Sequence, residues 1–229
     1  MNTAPTQTSA LSKRKRVAIL ISGRGSNMAA LIAATMDSDY PVIISKVISS
    51  KADVSGLEIA RSNGIEAITI ERSAFDSTSD YEAALIEELA LDEPAYICLA
   101  GYMRLLTEKF VNRFNGRILN IHPSLLPSFK GLDTHHRAIE SGVRLHGCSV
   151  HFVTATLDDG PIIAQASVPV LPNDDEEDLA ARVLVAEHQL YPKVLGLLAS
   201  DAIRLSGMRV VFSDTFPVTN SKNCLSSIA

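Results

Sequence analysis

An amide and an imidazole stand two residues apart in the string Asn120-Ile-His122-Pro-Ser-Leu-Leu-Pro127, at the end of the apolar run Gly116-Arg-Ile-Leu-Asn-Ile-His122. Read as a strand, the run has a side-chain period of two and puts Asn120 and His122 on one face. The proline after His122 ends the strand, so both groups fall at its carboxyl end, where open α/β sheets bind ligands. Farther along, Leu157-Asp158-Asp159-Gly160-Pro161 offers a carboxylate on a tight turn that can close over the pair. An amide donor, a titratable ring and a carboxylate are the minimum needed to stabilise an oxyanion and move a proton in acyl transfer. The same residues also read as ordinary hydrogen-bonded groups at a strand end beside a plain turn. Spacing alone leaves both readings open.

The elements that must position these groups alternate along the chain. Residues 17–22 form a short apolar run ending at Gly23, as a buried parallel strand does. Met28, Leu31, Ile32 and Met36 then recur at helical spacing. Residues 42–48 read as strand, 57–61 as helix closed by Asn63-Gly64, and 67–70 as strand. Tyr81, Ala84, Leu85 and Leu89 mark a helix, followed by a buried strand over 95–100. This βαβαβ rhythm predicts an α/β fold: a mostly parallel, twisted, Rossmann-like sheet with helices on both faces. After His122 the pattern changes. A helix over 134–141 is closed by Gly142, and β-rich segments over 148–153 and 162–170 flank Asp158, which predicts an antiparallel extension in the C-terminal half. A long helix begins near Asp174, where Asp174-Asp-Glu-Glu177 resembles a capping box, and runs toward Leu198 with an expected disturbance at Pro192. The expectation is a single domain over residues 16–212, with a phosphate-binding half to about 115 and a catalytic half after it. A basic, disordered lead-in over 1–15 and a loosely held tail over 213–229 flank it.

Composition narrows the function classes. With 229 residues and 46% apolar content the chain can bury a sizeable core, yet no uninterrupted apolar run approaches a membrane span. Cys98, Cys148 and Cys224 have no paired spacing, and the first two sit in apolar strand-like segments, as small core residues of a reduced, cytoplasmic protein do. The net charge of −5 divides into +4 over residues 1–16 and −9 over the rest. A body that acidic is a poor polyanion binder, so nucleic acid is not expected as a partner, and neither is a membrane. The run Lys13-Arg-Lys-Arg16 reads as a solvated lead-in, with no signal-peptide core beside it. Among the six histidines, His135 and His136 are adjacent and point apart, and His146 and His151 lack ligand spacing, so no metal site is expected.

Two further loops qualify as binding segments. Ser22-Gly23-Arg24-Gly25-Ser26-Asn27 joins the first strand to the first helix, and its glycines can bring backbone N–H groups against a phosphate. It is neither a Walker loop nor a full dinucleotide fingerprint, since Met28 occupies the third glycine position. Spacing alone equally allows a plain turn with Ser26 or Asn27 as helix cap. Gly101-Tyr102-Met103-Arg104-Leu105-Leu106, after the fourth strand, reads from its residues as an apolar connector with one cation.

Asn120-Ile-His-Pro-Ser-Leu-Leu-Pro followed by Lys130-Gly-Leu-Asp-Thr-His135 resembles the signature of the folate-dependent formyltransferases. The likeness is densest to their purine-pathway branch and extends over residues 16–198. The resemblance implies transfer of the formyl group of 10-formyltetrahydrofolate to the amine of glycinamide ribonucleotide, without a metal. It assigns catalysis to Asn120, His122 and Asp158, and the ribonucleotide phosphate to Gly25, Ser26 and Asn27. The string Glu187-His-Gln-Leu-Tyr-Pro192 matches a family motif whose glutamate contacts the ribonucleotide, which assigns Glu187. The folate ring falls to Met103, Arg104, Leu105 and Leu106 on one side of a slot, and to Thr154, Ala155, Thr156, Leu157 and Asp158 on the other, with Asn120 between. His135 is expected to support the site from behind. Some relatives place an arginine for the folate tail where this chain has Thr78, so the tail contact is expected to differ. The same core serves a hydrolase that deformylates formyltetrahydrofolate and an enzyme that formylates methionyl-tRNA. The first is disfavoured because water has no use for a phosphate loop. The second is disfavoured by the acidic body, and the short flanks are expected to hold neither enzyme's extra domain. A non-catalytic nucleotide-binding module would not need Asn120, His122 and Asp158 together. The small-molecule reading leaves monomer and homodimer open.

Overall fold

A computed structural model describes residues 14–213; the lead-in before Arg14 and the tail after Ser213, Cys224 included, lie outside the described residues. The chain runs β1 (Lys15–Ile21), α1 (Ser26–Ala34), β2 (Val42–Ser49), α2 (Ser55–Ser62), β3 (Glu66–Thr69), α3 (Thr78–Ala90) and β4 (Tyr96–Leu99). It continues α4 (Glu108–Arg113), β5 (Ile118–His122), α5 (Thr134–Glu140), β6 (Leu145–Phe152), β7 (Ile162–Pro169), α6 (Glu176–Ala199), β8 (Ile203–Ser206) and β9 (Arg209–Phe212). Seven strands form one sheet in the order β3-β2-β1-β4-β5-β6-β7. β3, β2, β1, β4 and β5 are parallel, and β6 and β7 are added antiparallel. The expected parallel sheet with an antiparallel C-terminal extension is the observed one.

The sheet is buried on both faces. In β1, Val17, Ile19 and Ile21 enter one apolar cluster and Ala18 and Leu20 the other, the alternation of a strand covered on each side. α3 supplies Tyr81, Leu85 and Leu89 to one cluster; α1 and α6 supply Met28, Leu31, Leu190 and Leu195 to the other. α6 runs through Pro192 without a break, and the carbonyl of Pro192 accepts from the Tyr40 hydroxyl at 2.6 Å. Cys98 and Cys148 are buried free thiols, and desolvation pushes each up to about 12, which leaves them inert.

Three expectations are corrected. The cap of α6 is Asp175, whose partner in the capping box is Asp178; Asp174 instead receives the Arg182 guanidinium at 2.7 and 2.8 Å. The described part of the basic run is not a free lead-in. Lys15 and Arg16 open β1, a central strand, and are paired with Asp201 and Asp92, while Arg14 donates to the carbonyls of Asp37 and Ser38 at 2.8 and 2.7 Å. The first helix ends at Ala34 with Met36 outside it and exposed. Two elements lay beyond what the sequence indicated, the six-residue α4 and the β8–β9 hairpin.

The amino-terminal edge of the sheet is sealed by charge. Lys46, only 2% exposed, lies against Glu88 and within 3.3 Å of Asp92 and 3.8 Å of Glu66. A shallow depression of about 530 Å³ there includes Arg16 and Asp92, which pair with each other, and Arg14, which donates to backbone carbonyls. The opposite, carboxyl end is where the strand order reverses between β1 and β4, the crevice in which such sheets bind ligands. Among the described residues no helix is long and apolar enough to cross a membrane.

Candidate active site

β5 ends at His122 because Pro123 has no N–H to extend the ladder. Its antiparallel neighbour β6 places His151 opposite Asn120 and Ser149 opposite His122. Asn120 Nδ2 lies 3.2 Å from His151 Nε2, and His151 Nδ1 lies 2.9 Å from the Phe152 carbonyl. That carbonyl can only accept, so Nδ1 carries the hydrogen and Nε2 receives the Asn120 amide. Burial lowers the His151 pKa and keeps the ring neutral, which preserves this tautomer. One amide hydrogen of Asn120 is thereby fixed, and the second is left for a ligand. His151 is a site residue that sequence reasoning missed; its signal was the cross-strand register of a hairpin, which spacing does not print.

The loop after β6 leaves beside the amino end of β5, where Val153 N–H donates to Ile118 O, and folds back over the β5 face. Gly160 permits this, since a Cβ there would stand 1.8 Å from the Phe152 carbonyl oxygen. The fold-back delivers Asp158, in left-handed conformation at φ 47°, so that its Oδ2 lies 3.4 Å from His122 Nδ1. Aspartate is among the few non-glycine residues that tolerate that backbone. Oδ2 also accepts from Gly131 N–H at 2.9 Å, and Oδ1 lies 3.7 Å from His151 Nε2. His122 Nε2 lies 3.0 Å from the Phe129 carbonyl. Both ring nitrogens of His122 therefore face oxygen acceptors, an arrangement the doubly protonated ring satisfies in full. Asn120, His122 and Asp158 are brought together as expected. His135 is not in direct contact with them: it meets His146 edge-on, which meets Phe129, whose carbonyl holds His122.

The glycine loop ends in Gly25, at φ 74°, which starts α1 with no side-chain cap; neither Ser26 nor Asn27 takes that role. The first-turn N–H groups of a helix have no intrahelical acceptors, so this end is open to an anion. Asn27 instead points its amide at Glu187 on α6, Nδ2 to Oε2 at 2.7 Å, and its Oδ1 is buried without a partner. Burial pushes the Glu187 carboxyl up to about 7, against the opposing pull of the Asn27 amide. One turn further along α6, the buried Tyr191 hydroxyl donates between the carbonyls of Leu99 and Leu119, at 3.2 and 3.1 Å. α6 thus touches the glycine loop with Glu187 and the strand beneath Asn120 with Tyr191.

Met103, Arg104, Leu105 and Leu106 follow β4 into the crevice, with Met103 and Leu105 exposed and the Tyr102 hydroxyl held by that of Tyr81 at 2.7 Å. Across the site, Ala155, Thr156 and Leu157 are exposed and Thr154 is half-buried. Two apolar-bearing segments therefore flank the Asn120–His122–Asp158 group. Thr78 opens α3, away from these segments in sequence, and its hydroxyl receives Arg72 Nη2 at 3.2 Å. Among the described residues no cluster of histidine, cysteine and carboxylate side chains is placed to hold a metal ion.

A reversed-order parallel sheet with an anion-ready loop on β1 and an amide, imidazole and carboxylate at the end of β5 can hold an anion on one side of the crevice and stabilise an oxyanion on the other. The model of the formyl transferase family matches residues 15–195, and the chain belongs to that family. It is 47% identical over 189 residues to the phosphoribosylglycinamide formyltransferase of Escherichia coli (strain K12), covering 82% of this chain and 89% of the relative. It is 49% identical over 203 residues to the trifunctional purine biosynthetic protein adenosine-3 of Drosophila pseudoobscura pseudoobscura, of whose length it spans only 15%. The solved phosphoribosylglycinamide formyltransferase of Brucella melitensis superposes with a TM-score of 0.80 at 53% identity, covering 82% of this chain and 97% of that one.

Proposed function

We propose that this chain transfers the formyl group of 10-formyltetrahydrofolate to the primary amine of glycinamide ribonucleotide, giving formylglycinamide ribonucleotide and tetrahydrofolate in de novo purine biosynthesis. The observation that carries the reading is the convergence of Asn120, His122 and Asp158 at the end of β5, between the glycine loop and the segment after β4. Attack of the amine nitrogen on the formyl carbon moves the carbonyl electron pair onto oxygen. The unspent Asn120 N–H meets that oxygen, and a protonated His122, turning one N–H from its present acceptor toward the oxyanion, adds a charge-assisted bond. Collapse breaks the bond to the folate nitrogen, which takes a proton as the attacking amine loses one; His122 and Asp158 are the groups placed to carry it.

Gly25, Ser26 and Asn27 receive the monophosphate through backbone N–H groups, and Glu187 accepts from the ribonucleotide. Met103, Arg104, Leu105 and Leu106 form one wall of the folate slot; Thr154, Ala155, Thr156 and Leu157 form the other. The residues suit a flat ring, with exposed apolar side chains at the mouth and polar backbone groups within reach. His135 stiffens the Phe129 loop through His146. The partners are these two small molecules, and the setting is cytoplasmic. The test is absorbance at the folate product band with purified protein and 10-formyltetrahydrofolate, with and without glycinamide ribonucleotide. Turnover only with the ribonucleotide, lost in Asp158→Asn with folding intact, is the expected result. Equal turnover without it would mean hydrolysis and would overturn the assignment of the glycine loop.

A further inference from the structure

Ser22 and Ser50 lie one residue past the ends of β1 and β2, and they are 6% and 3% exposed. Their hydroxyl oxygens are 2.7 Å apart, and either can be the donor. Ser22 Oγ also accepts from the Met103 backbone N–H at 2.9 Å, and the Ser22 N–H donates to Gly101 O at 3.2 Å. These bonds lie outside the strand ladders, which end at Ile21–Ser49 for β1 with β2 and at Leu20–Leu99 for β1 with β4. The Ser22 hydroxyl therefore joins two loops rather than two strands: Gly23 of the glycine loop follows it in sequence, and Met103 begins the segment after β4. The pair also has two hydrogen arrangements, Ser22 to Ser50 or the reverse, because a hydroxyl gives one hydrogen and accepts two. In either arrangement one hydroxyl hydrogen has no protein acceptor among the described residues.

We infer that Ser22 is a positioning residue that couples the two substrate sites, tying the backbone that receives the phosphate to the backbone that receives the folate. The inference rests on the two-substrate reading above. Each ligand orders its own segment, and the shared hydroxyl passes part of that order to the other, so the second ligand meets a segment already held. Such coupling is reciprocal by linkage.

The experiment is calorimetric titration of glycinamide ribonucleotide and of tetrahydrofolate, a pair that cannot react, each alone and in the presence of the other at saturation. In the unaltered protein each ligand tightens the other by the same factor, about fivefold, the lower end of ordinary coupling between sites. In Ser22→Ala that factor falls to near one while the separate affinities change less than about threefold, and Ser22→Thr, which keeps the hydroxyl, restores it. Should the alanine variant fail to fold, Ser22→Cys carries the same test, since its thiol fills the space but accepts weakly. A factor of one in the unaltered protein, or a full factor in Ser22→Ala, overturns the inference and leaves the function standing. Equal weakening of both ligands with the factor preserved overturns it too, as a structural effect only. Failure of the ribonucleotide to bind under any condition overturns the function and the inference together.

Discussion

Glu187→Gln should stabilise the protein while impairing it, and the gain should depend on pH. Glu187 is 6% exposed, and burial lifts its carboxyl from an ordinary 4.5 to about 7. Below pH 4.5 the folded and unfolded chains both hold the proton, and the site costs nothing. Between 4.5 and 7 the unfolded chain releases the proton while the folded one retains it, so stability falls as pH rises. Above pH 7 the loss is complete, about 3 kcal/mol for a displacement of this size. Glutamine cannot ionise, keeps an oxygen for the Asn27 amide, and brings an N–H₂ toward Asn27 Oδ1, which is buried without a partner. The variant should therefore gain little over the parent near pH 4.5 and about 2–3 kcal/mol by pH 8, or roughly 4–12 °C in Tm for a domain of this size. Urea unfolding of both proteins at pH 5 and pH 8, with a ribonucleotide KM from the absorbance assay, measures each part. A stability difference that is the same at both pH values would refute the argument, because it would mean that Glu187 releases its proton in the folded chain over the same pH range as in the unfolded one.

Asn120→Ala should lower kcat by about 10²–10³, the usual cost of one oxyanion donor, with unchanged urea unfolding; a loss under tenfold would remove Asn120 from that role. Tyr191→Phe leaves the carbonyls of Leu99 and Leu119 without their shared donor, at a cost of about 1–3 kcal/mol. It should also lower kcat, because Leu119 O lies immediately before Asn120, and steady-state kinetics beside urea unfolding read the two effects separately. Gly56→Ala brings a Cβ within 2.8 Å of Gly23 O and 2.6 Å of Ile21 Cδ1. It should raise the ribonucleotide KM by about tenfold, a displacement worth about 1.4 kcal/mol, and leave the folate KM nearly unchanged.

β5 was legible because its signals are local: a period of two, a proline stop, and polar groups on one face. His151 was not, since its role comes from register across a hairpin, 31 residues from its partner. The two acids at 174 and 175 are equivalent as letters. Arg182, eight residues along the helix, takes the first and leaves the second to cap. The basic run misled because charge composition carries no information on partners that arrive from residues 92 and 201. α4 is too short for a helical period to show. The segment at Met103 has no period at all, so only its resemblance to a family marked it.

Gly25 and Gly56 meet almost backbone to backbone: a Cβ on the first would sit 3.1 Å from the Cα of the second, and one on the second 3.5 Å from the Cα of the first. A side chain on Gly25 would press on Gly56, and one on Gly56 would strike Gly23 O at 2.8 Å and Ile21 Cδ1 at 2.6 Å, so the same loop is held at two places 31 residues apart. The two glycines therefore constrain one loop from both sides. A residue larger than glycine at either place reshapes the loop between β1 and α1. The proposed phosphate loop thus tolerates little change at these two places, whereas the side chains of Met103 and Leu105 across the site are exposed and can vary without a clash in the core.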